Sequence, residues 1–289
     1  MQIYVKILVL AIIQAAAELL PVSSSAHVIL AEKLMGLDPS SPAMVFVLIM
    51  LHTGTMFAVI VYFWKRWKAQ FFAEQRPAGS GRRFLVSALL ATITTGLLGL
   101  ALQYLIEHVV MERLLGQPKG EVEQLFKSLP LIGAALVAAG LLILLSSLFG
   151  QSNSNRQLTP ARALWIGMVQ ALCLPFRGFS RSGATISVGL MCGLPRRLAE
   201  DFSFALAVLL TPPVLVRQIW KLLHSPEVAD AHLFDLLAPA LLGMGFSFLA
   251  GLVALRVLSR LLEGGRWSYF GIYCLVFAGV MFAAAWQGI

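Results

Sequence analysis

Two stretches of this chain place reactive side chains in sequence that otherwise reads as hydrocarbon-facing. The first runs Gln14-Ala-Ala-Ala-Glu18-Leu-Leu-Pro21-Val-Ser23-Ser24-Ser25-Ala-His27, and Glu18 is the only acid between Ile7 and Leu30. An ionisable side chain at membrane depth is costly to keep, so it marks a functional site by default. Gln14 and Glu18 are four apart and share one helix face. Their oxygens suit a hard divalent cation, Mg²⁺ or Ca²⁺. Glu18 could equally act as a general base, or pair with a lysine or arginine to hold helices together. Ser23, Ser24 and Ser25 offer hydroxyls that can cap a following helix or touch phosphate, with Ser24 the candidate nucleophile. His27 lies three residues beyond Ser24 and would share its helix face as a proton carrier. The plainer alternative for His27 is a hydrogen-bonded core histidine.

The second stretch is Leu174-Pro175-Phe176-Arg177-Gly178-Phe179-Ser180-Arg181-Ser182-Gly183-Ala184-Thr185. Backbone N–H groups at a helix start, with serine and arginine donors beside them, form an anion site suited to phosphate. Arg181 is the expected clamp, because a guanidinium offers a planar fork and a charge that does not titrate away. Its alternative is a structural pair with Glu18, which would itself bring the two stretches together. Gly178, Ser180, Ser182, Gly183 and Thr185 are candidate phosphate donors or helix caps. Arg177 is a second clamp or faces lipid headgroups. An acid and hydroxyls in one half, with a phosphate clamp in the other, point to phosphoryl chemistry.

The elements that must position these residues follow from composition. Of 289 residues, 58% are hydrophobic and 12% charged, with a mean hydropathy of +0.82, which describes an integral membrane protein. The net charge of +8 could suggest nucleic acid, but the basic residues gather in short loops between apolar segments, where they signal topology. Cys173, Cys192 and Cys274 lack CxxC spacing, so neither a disulfide framework nor a zinc site is expected. Lys6, an apolar run and Ala15-x-Ala17 resemble a short signal peptide. The single lysine and the apolar character beyond the cut favour a retained segment.

Residues 4–20 and 24–35 are each too short to cross a bilayer, which takes about 20 apolar residues, and read as a re-entrant pair. Spans are expected at 44–64, 84–106 and 129–149. The second half repeats this plan with short pieces at 163–176 and 182–195, then spans at 202–223, 236–258 and 268–286, the first kinked at Pro212-Pro213. Loop 65–83 holds six Lys/Arg against one Glu, and 256–266 is basic, so both are expected in the cytoplasm; loop 107–128, with three Lys/Arg and four Glu, and loop 224–235, with three acids and no Lys/Arg, are expected outside. Three spans per half is an odd number, so residues 151–289 must be inverted relative to 1–150. The expected fold is an all-α polytopic membrane protein with an inverted-topology repeat: six transmembrane helices plus two re-entrant pairs in one membrane domain. Gln14…Leu20-Pro21 echoes Gln170…Leu174-Pro175.

These two stretches resemble the signature motifs of the bacterial undecaprenyl pyrophosphate phosphatases of the BacA type, which carry (E/Q)xxxE flowing into PVSSxxH and, later, PGxSRSGxT. Here they read Gln14-x-x-x-Glu18, Pro21-Val-Ser-Ser-Ser-Ala-His27 and Gly178-Phe-Ser-Arg-Ser-Gly-Ala-Thr185, with Leu51-His-Thr-Gly-Thr55 and Phe202-Ser-Phe204 as further landmarks. The motif's Pro-Gly is opened here into Pro175-Phe-Arg-Gly178, and no acid stands between Val45 and Met50. The resemblance implies removal of the terminal phosphate of undecaprenyl pyrophosphate, which regenerates the carrier lipid for cell-wall synthesis. It also implies a divalent cation, a site open to the outer (periplasmic) face of the bacterial inner membrane, and bacitracin tolerance. The partners expected are the membrane and a polyprenyl pyrophosphate lipid, with a homodimer as an option and no nucleic acid. The rival class is a secondary transporter or flippase for an anionic lipid, since inverted repeats with broken helices are typical of transporters.

Overall fold

The computed structural model describes residues 2–38, 41–72, 80–106, 108, 128–149, 156–224 and 233–288. Among them the chain is all helical: α1 (Gln2–Leu19), α2 (Ser24–Leu34), α3 (Pro42–Phe72), α4 (Ser80–Leu105), α5 (Leu129–Ser147), α6 (Pro160–Leu172), α7 (Arg181–Met191), α8 (Arg196–Leu223), α9 (Leu233–Glu263) and α10 (Ser268–Trp286). Six of these, α3, α4, α5, α8, α9 and α10, are long and apolar enough to cross a membrane. The protein is therefore multi-pass. Exposed Ile93, Leu97, Leu100, Val216, Val253 and Val276 are the residues such helices turn toward lipid.

Several expected boundaries move. α3 begins at Pro42, whose fixed φ and missing N–H suit a first helical turn, and runs on to Phe72, past the expected end at 64. α8 starts at Arg196 and passes through both Pro212 and Pro213 without ending. α6 stops at Leu172, four residues short of the expected 176, because the chain must turn before Pro175. Residues 73–79 of the basic loop, nearly all of loop 107–128, and 225–232 of the acidic loop lie outside the described residues, as do 150–155.

Small residues let these helices approach closely, as is common in membranes, where apolar burial gives no drive to associate. A Cβ added to Gly54 of α3 would collide with the Met244 carbonyl oxygen of α9, and the Ser247 hydroxyl donates to the Leu51 carbonyl at 2.9 Å. Gly140 of α5 and Gly271 of α10 meet in the same way. α1 packs on α9 and α6 packs on α4. In the second of these contacts the Thr95 hydroxyl bonds the Gly167 carbonyl at 3.0 Å, and Gln170 donates its amide N–H to Thr95 Oγ1 at 3.1 Å.

At the end of the bundle where α3 finishes and α8 begins, Arg66 pairs with Glu200 at 2.9 Å and Asp201 at 2.8 Å. Glu200 is fully buried and also accepts from the Ser259 hydroxyl at 2.5 Å. Tyr62 donates to that same hydroxyl at 2.9 Å, so α3, α8 and α9 are tied together through one carboxylate. A buried charge persists only when it is paired and hydrogen-bonded in this manner.

Candidate active site

The two breaks in the helical pattern are built differently. Between α1 and α2, Ser23 takes φ 71° and is the only non-glycine with positive φ among the described residues. A left-handed serine costs on the order of 1–3 kcal/mol. It occupies the position preceding α2 without capping it, and its hydroxyl lies 3.2 Å from that of Ser25 instead. In the second break Ser180 does cap α7, accepting from the Gly183 N–H at 3.2 Å. Gly178 has φ 97°, and a Cβ there would lie 2.5 Å from the Ile132 carbonyl oxygen on α5. Only glycine meets both conditions.

The starts of α2 and α7 face one another. Gly178 N–H donates to Ser25 Oγ at 3.2 Å, and Ser182 Oγ donates to the Leu20 carbonyl at 3.5 Å. Cys274 on α10 braces the first turn, its thiol donating to the Pro21 carbonyl at 3.4 Å. Helix N-termini carry partial positive charge. Two of them meeting here, with a guanidinium between, make an electropositive focus at the end of α1.

Glu18 fills that focus. Its Oε1 pairs with Arg181 Nη2 at 2.7 Å and its Oε2 accepts from Ser24 Oγ at 2.5 Å. The two charged side chains are 21% and 23% exposed, so a ligand can reach them. A guanidinium has five N–H donors, and the ion pair uses Nη2, which leaves most of the fork to address an anion. A serine proton resting on a carboxylate is also the geometry in which a hydroxyl is readied for attack.

His27 faces elsewhere. Its Nδ1 lies 2.8 Å from the Ser23 carbonyl oxygen and its Nε2 lies 2.8 Å from the Tyr273 hydroxyl. The ring stacks on Phe277 with centroids 3.8 Å apart. The shared helix face with Ser24 therefore does not produce a Ser24–His27 bond; Ser24 turns to Glu18. Tyr273 and Phe277 escaped the sequence reading because they sit in an ordinary apolar span with no polar motif around them.

The remaining candidates fall around this centre. Thr185 lies behind it, bonding the Arg181 carbonyl at 2.8 Å and sharing a 2.6 Å hydrogen bond with Ser203 of α8, which gives the Phe202-Ser-Phe204 landmark a packing role. Arg177 is exposed, whereas Ser182 and Gly183 are buried in the first turn of α7. Gln14 is 1% exposed, and its side-chain nitrogen has no hydrogen-bond partner.

The donor set bears on the expected cation. Among the described residues no group of three His, Cys, Asp or Glu could hold a metal ion, and at this site Glu18 is the carboxylate available. Mg²⁺ is commonly held by one or two carboxylates with substrate phosphates completing its shell. Glu18, with buried Gln14 one turn away, fits a cation of that kind, whose remaining ligands come from the substrate.

Comparison with known proteins adds the family context. Residues 7–280 match the family model described as bacitracin resistance protein BacA. The chain is 56% identical over 283 residues to undecaprenyl-diphosphatase 2 of Acinetobacter baylyi, covering 96% of this chain and 97% of that protein. It is 35% identical over 287 residues to undecaprenyl-diphosphatase 1 of Burkholderia pseudomallei strain K96243, covering 96% and 94%. It is likewise 35% identical over 291 residues to an undecaprenyl-diphosphatase of Desulfosudis oleivorans, covering 94% and 95%.

Proposed function

The chain belongs to the bacitracin resistance protein BacA family, and from that premise we propose that it is a membrane phosphatase converting undecaprenyl pyrophosphate to the monophosphate and inorganic phosphate. The observation that carries the mechanism is the carboxylate of Glu18, gripped by Ser24 on one oxygen and Arg181 on the other.

In the first step Ser24 Oγ attacks the terminal phosphorus. An Oγ–P bond forms as the bond to the bridging oxygen breaks, the electron pair leaves on undecaprenyl phosphate, and the serine proton passes to Glu18. In the second step water attacks the phosphoserine and Ser24 departs, recovering its proton from Glu18. The water's proton passes to His27, and inorganic phosphate leaves. Arg181 and the N-termini of α2 and α7 oppose the charge spread over the phosphoryl oxygens, where preorganised donors are most effective. Ser180 holds the start of α7 in place, and the N–H groups of the 178–183 turn supply further donors. A divalent cation held by Glu18 and Gln14 would neutralise pyrophosphate oxygens before attack.

The same reading gives the chain two inverted repeats, 1–150 and 151–289, each with a re-entrant pair. Support comes from matched packing, α1 on α9 and α6 on α4, and from two buried glutamines, Gln14 and Gln170, each preceding a broken turn. With basic loops inside, the site lies in the bacterial inner membrane and opens toward the periplasm. A transporter would bind the lipid without turnover. Protein purified in detergent should release inorganic phosphate from undecaprenyl pyrophosphate. Binding without release would favour the transporter.

A further inference from the structure

His27 has both ring nitrogens occupied. A carbonyl only accepts, so Nδ1 must carry a proton and donate it to the Ser23 oxygen. In the neutral ring Nε2 is then the acceptor, and its lone pair points at the Tyr273 hydroxyl, 2.8 Å away. The stack on Phe277, with ring planes 2° apart, fixes the imidazole plane, and Ser23 itself is held in the strained left-handed conformation. In this arrangement Nε2 faces Tyr273 and not Ser24. The nitrogen free to take a proton, Nε2, is the one that faces Tyr273.

We propose that Tyr273 is a catalytic proton-relay residue: its hydroxyl takes a proton from the attacking water while its own proton moves to His27 Nε2. The relay balances, since Oη gains one proton and loses one, and the imidazole becomes the imidazolium. A phenol serves as both donor and acceptor, so the same hydroxyl can hold the ring in either charge state. Tyr273 is 45% exposed, so the residue is not sealed inside the bundle. It lies 246 residues from His27, on a helix to which neither reactive stretch belongs. The inference rests on the phosphatase reading and on His27 as the final proton acceptor.

The competing explanation is that a tyrosine in a span merely satisfies its own hydroxyl by donating to a nearby nitrogen. Phenylalanine would replace such a tyrosine without loss. Tyr273→Phe keeps the ring and removes only the hydroxyl, so folding is checked by an unchanged gel-filtration peak and melting temperature. The test is a cycle of wild type, Tyr273→Phe, His27→Ala and the double variant, assayed for phosphate release from undecaprenyl pyrophosphate. The expected result is a fall of about 10² in kcat for each single variant, with KM little changed, and no further fall in the double variant. Members of one unit are non-additive in this way.

Wild-type kcat in Tyr273→Phe, or a double variant equal to the product of the two single losses, would overturn the relay while leaving the phosphatase reading intact. Full turnover in His27→Ala would also overturn it, since no acceptor would remain. Absence of phosphate release from the wild type would instead remove the phosphatase reading on which the relay depends.

Discussion

Arg181 Nη2 lies 2.7 Å from Glu18 Oε1, an ion pair between residues 163 apart in sequence. It joins the end of α1 to the start of α7 and serves two purposes. It pins one broken turn against the other, and it leaves a guanidinium 23% exposed where the proposed mechanism seats a phosphate. The structural and the functional readings of Arg181 are therefore compatible.

Glu18→Gln separates charge from shape at this point. The amide still fills the space but neither balances Arg181 nor takes the Ser24 proton. Phosphate release should fall by about 10² or more, and the divalent cation needed for half-maximal rate should rise. Undiminished activity of this variant in EDTA would show that the carboxylate neither holds a cation nor acts as the base.

Gly178 is fixed by two independent conditions, a φ of 97° and a backbone oxygen 2.5 Å from where a Cβ would stand. Gly178→Ala should push the turn off α5 and break the N–H donation to Ser25. Activity should fall sharply and the melting temperature should drop. The control is Gly96→Ala, where the added methyl meets nothing within 4 Å; it should leave both unchanged. Equal behaviour of the two variants would mean that the close approach to Ile132 is unimportant.

Orientation is open to labelling. In the proposed topology the basic residues around Ser80 put the start of α4 on the cytoplasmic side. With Cys173, Cys192 and Cys274 replaced, a single cysteine at position 80 should resist an impermeant thiol reagent in intact cells and react once the membrane is opened. Labelling in intact cells would invert the topology.

Much of the site was legible because the surroundings were so apolar. Glu18, the serine run and Arg181 each stand out against hydrocarbon-facing sequence, and burying them without purpose would be costly. Six spans could be read for the same reason. The pairing of Ser24 with Glu18 rather than His27 could not, since helical spacing gives a shared face but not which partner a hydroxyl chooses. Tyr273 and Phe277 were invisible because their surroundings are those of any membrane helix. The Arg66–Glu200–Asp201 network, built around buried Glu200, lies at helix ends, where charges in a membrane protein normally read as topology signals.

The most direct test is the rate of phosphate release from undecaprenyl pyrophosphate by purified wild type, Arg181→Lys and Arg177→Lys under the same conditions. Lysine keeps the charge but loses the planar fork. The expected loss is about 10² to 10³ in kcat for Arg181→Lys and little for the exposed Arg177→Lys, with all three proteins monodisperse and equally folded. Full activity in Arg181→Lys, with Arg177→Lys crippled, would contradict the assignment of the phosphate clamp to the Glu18–Arg181 pair.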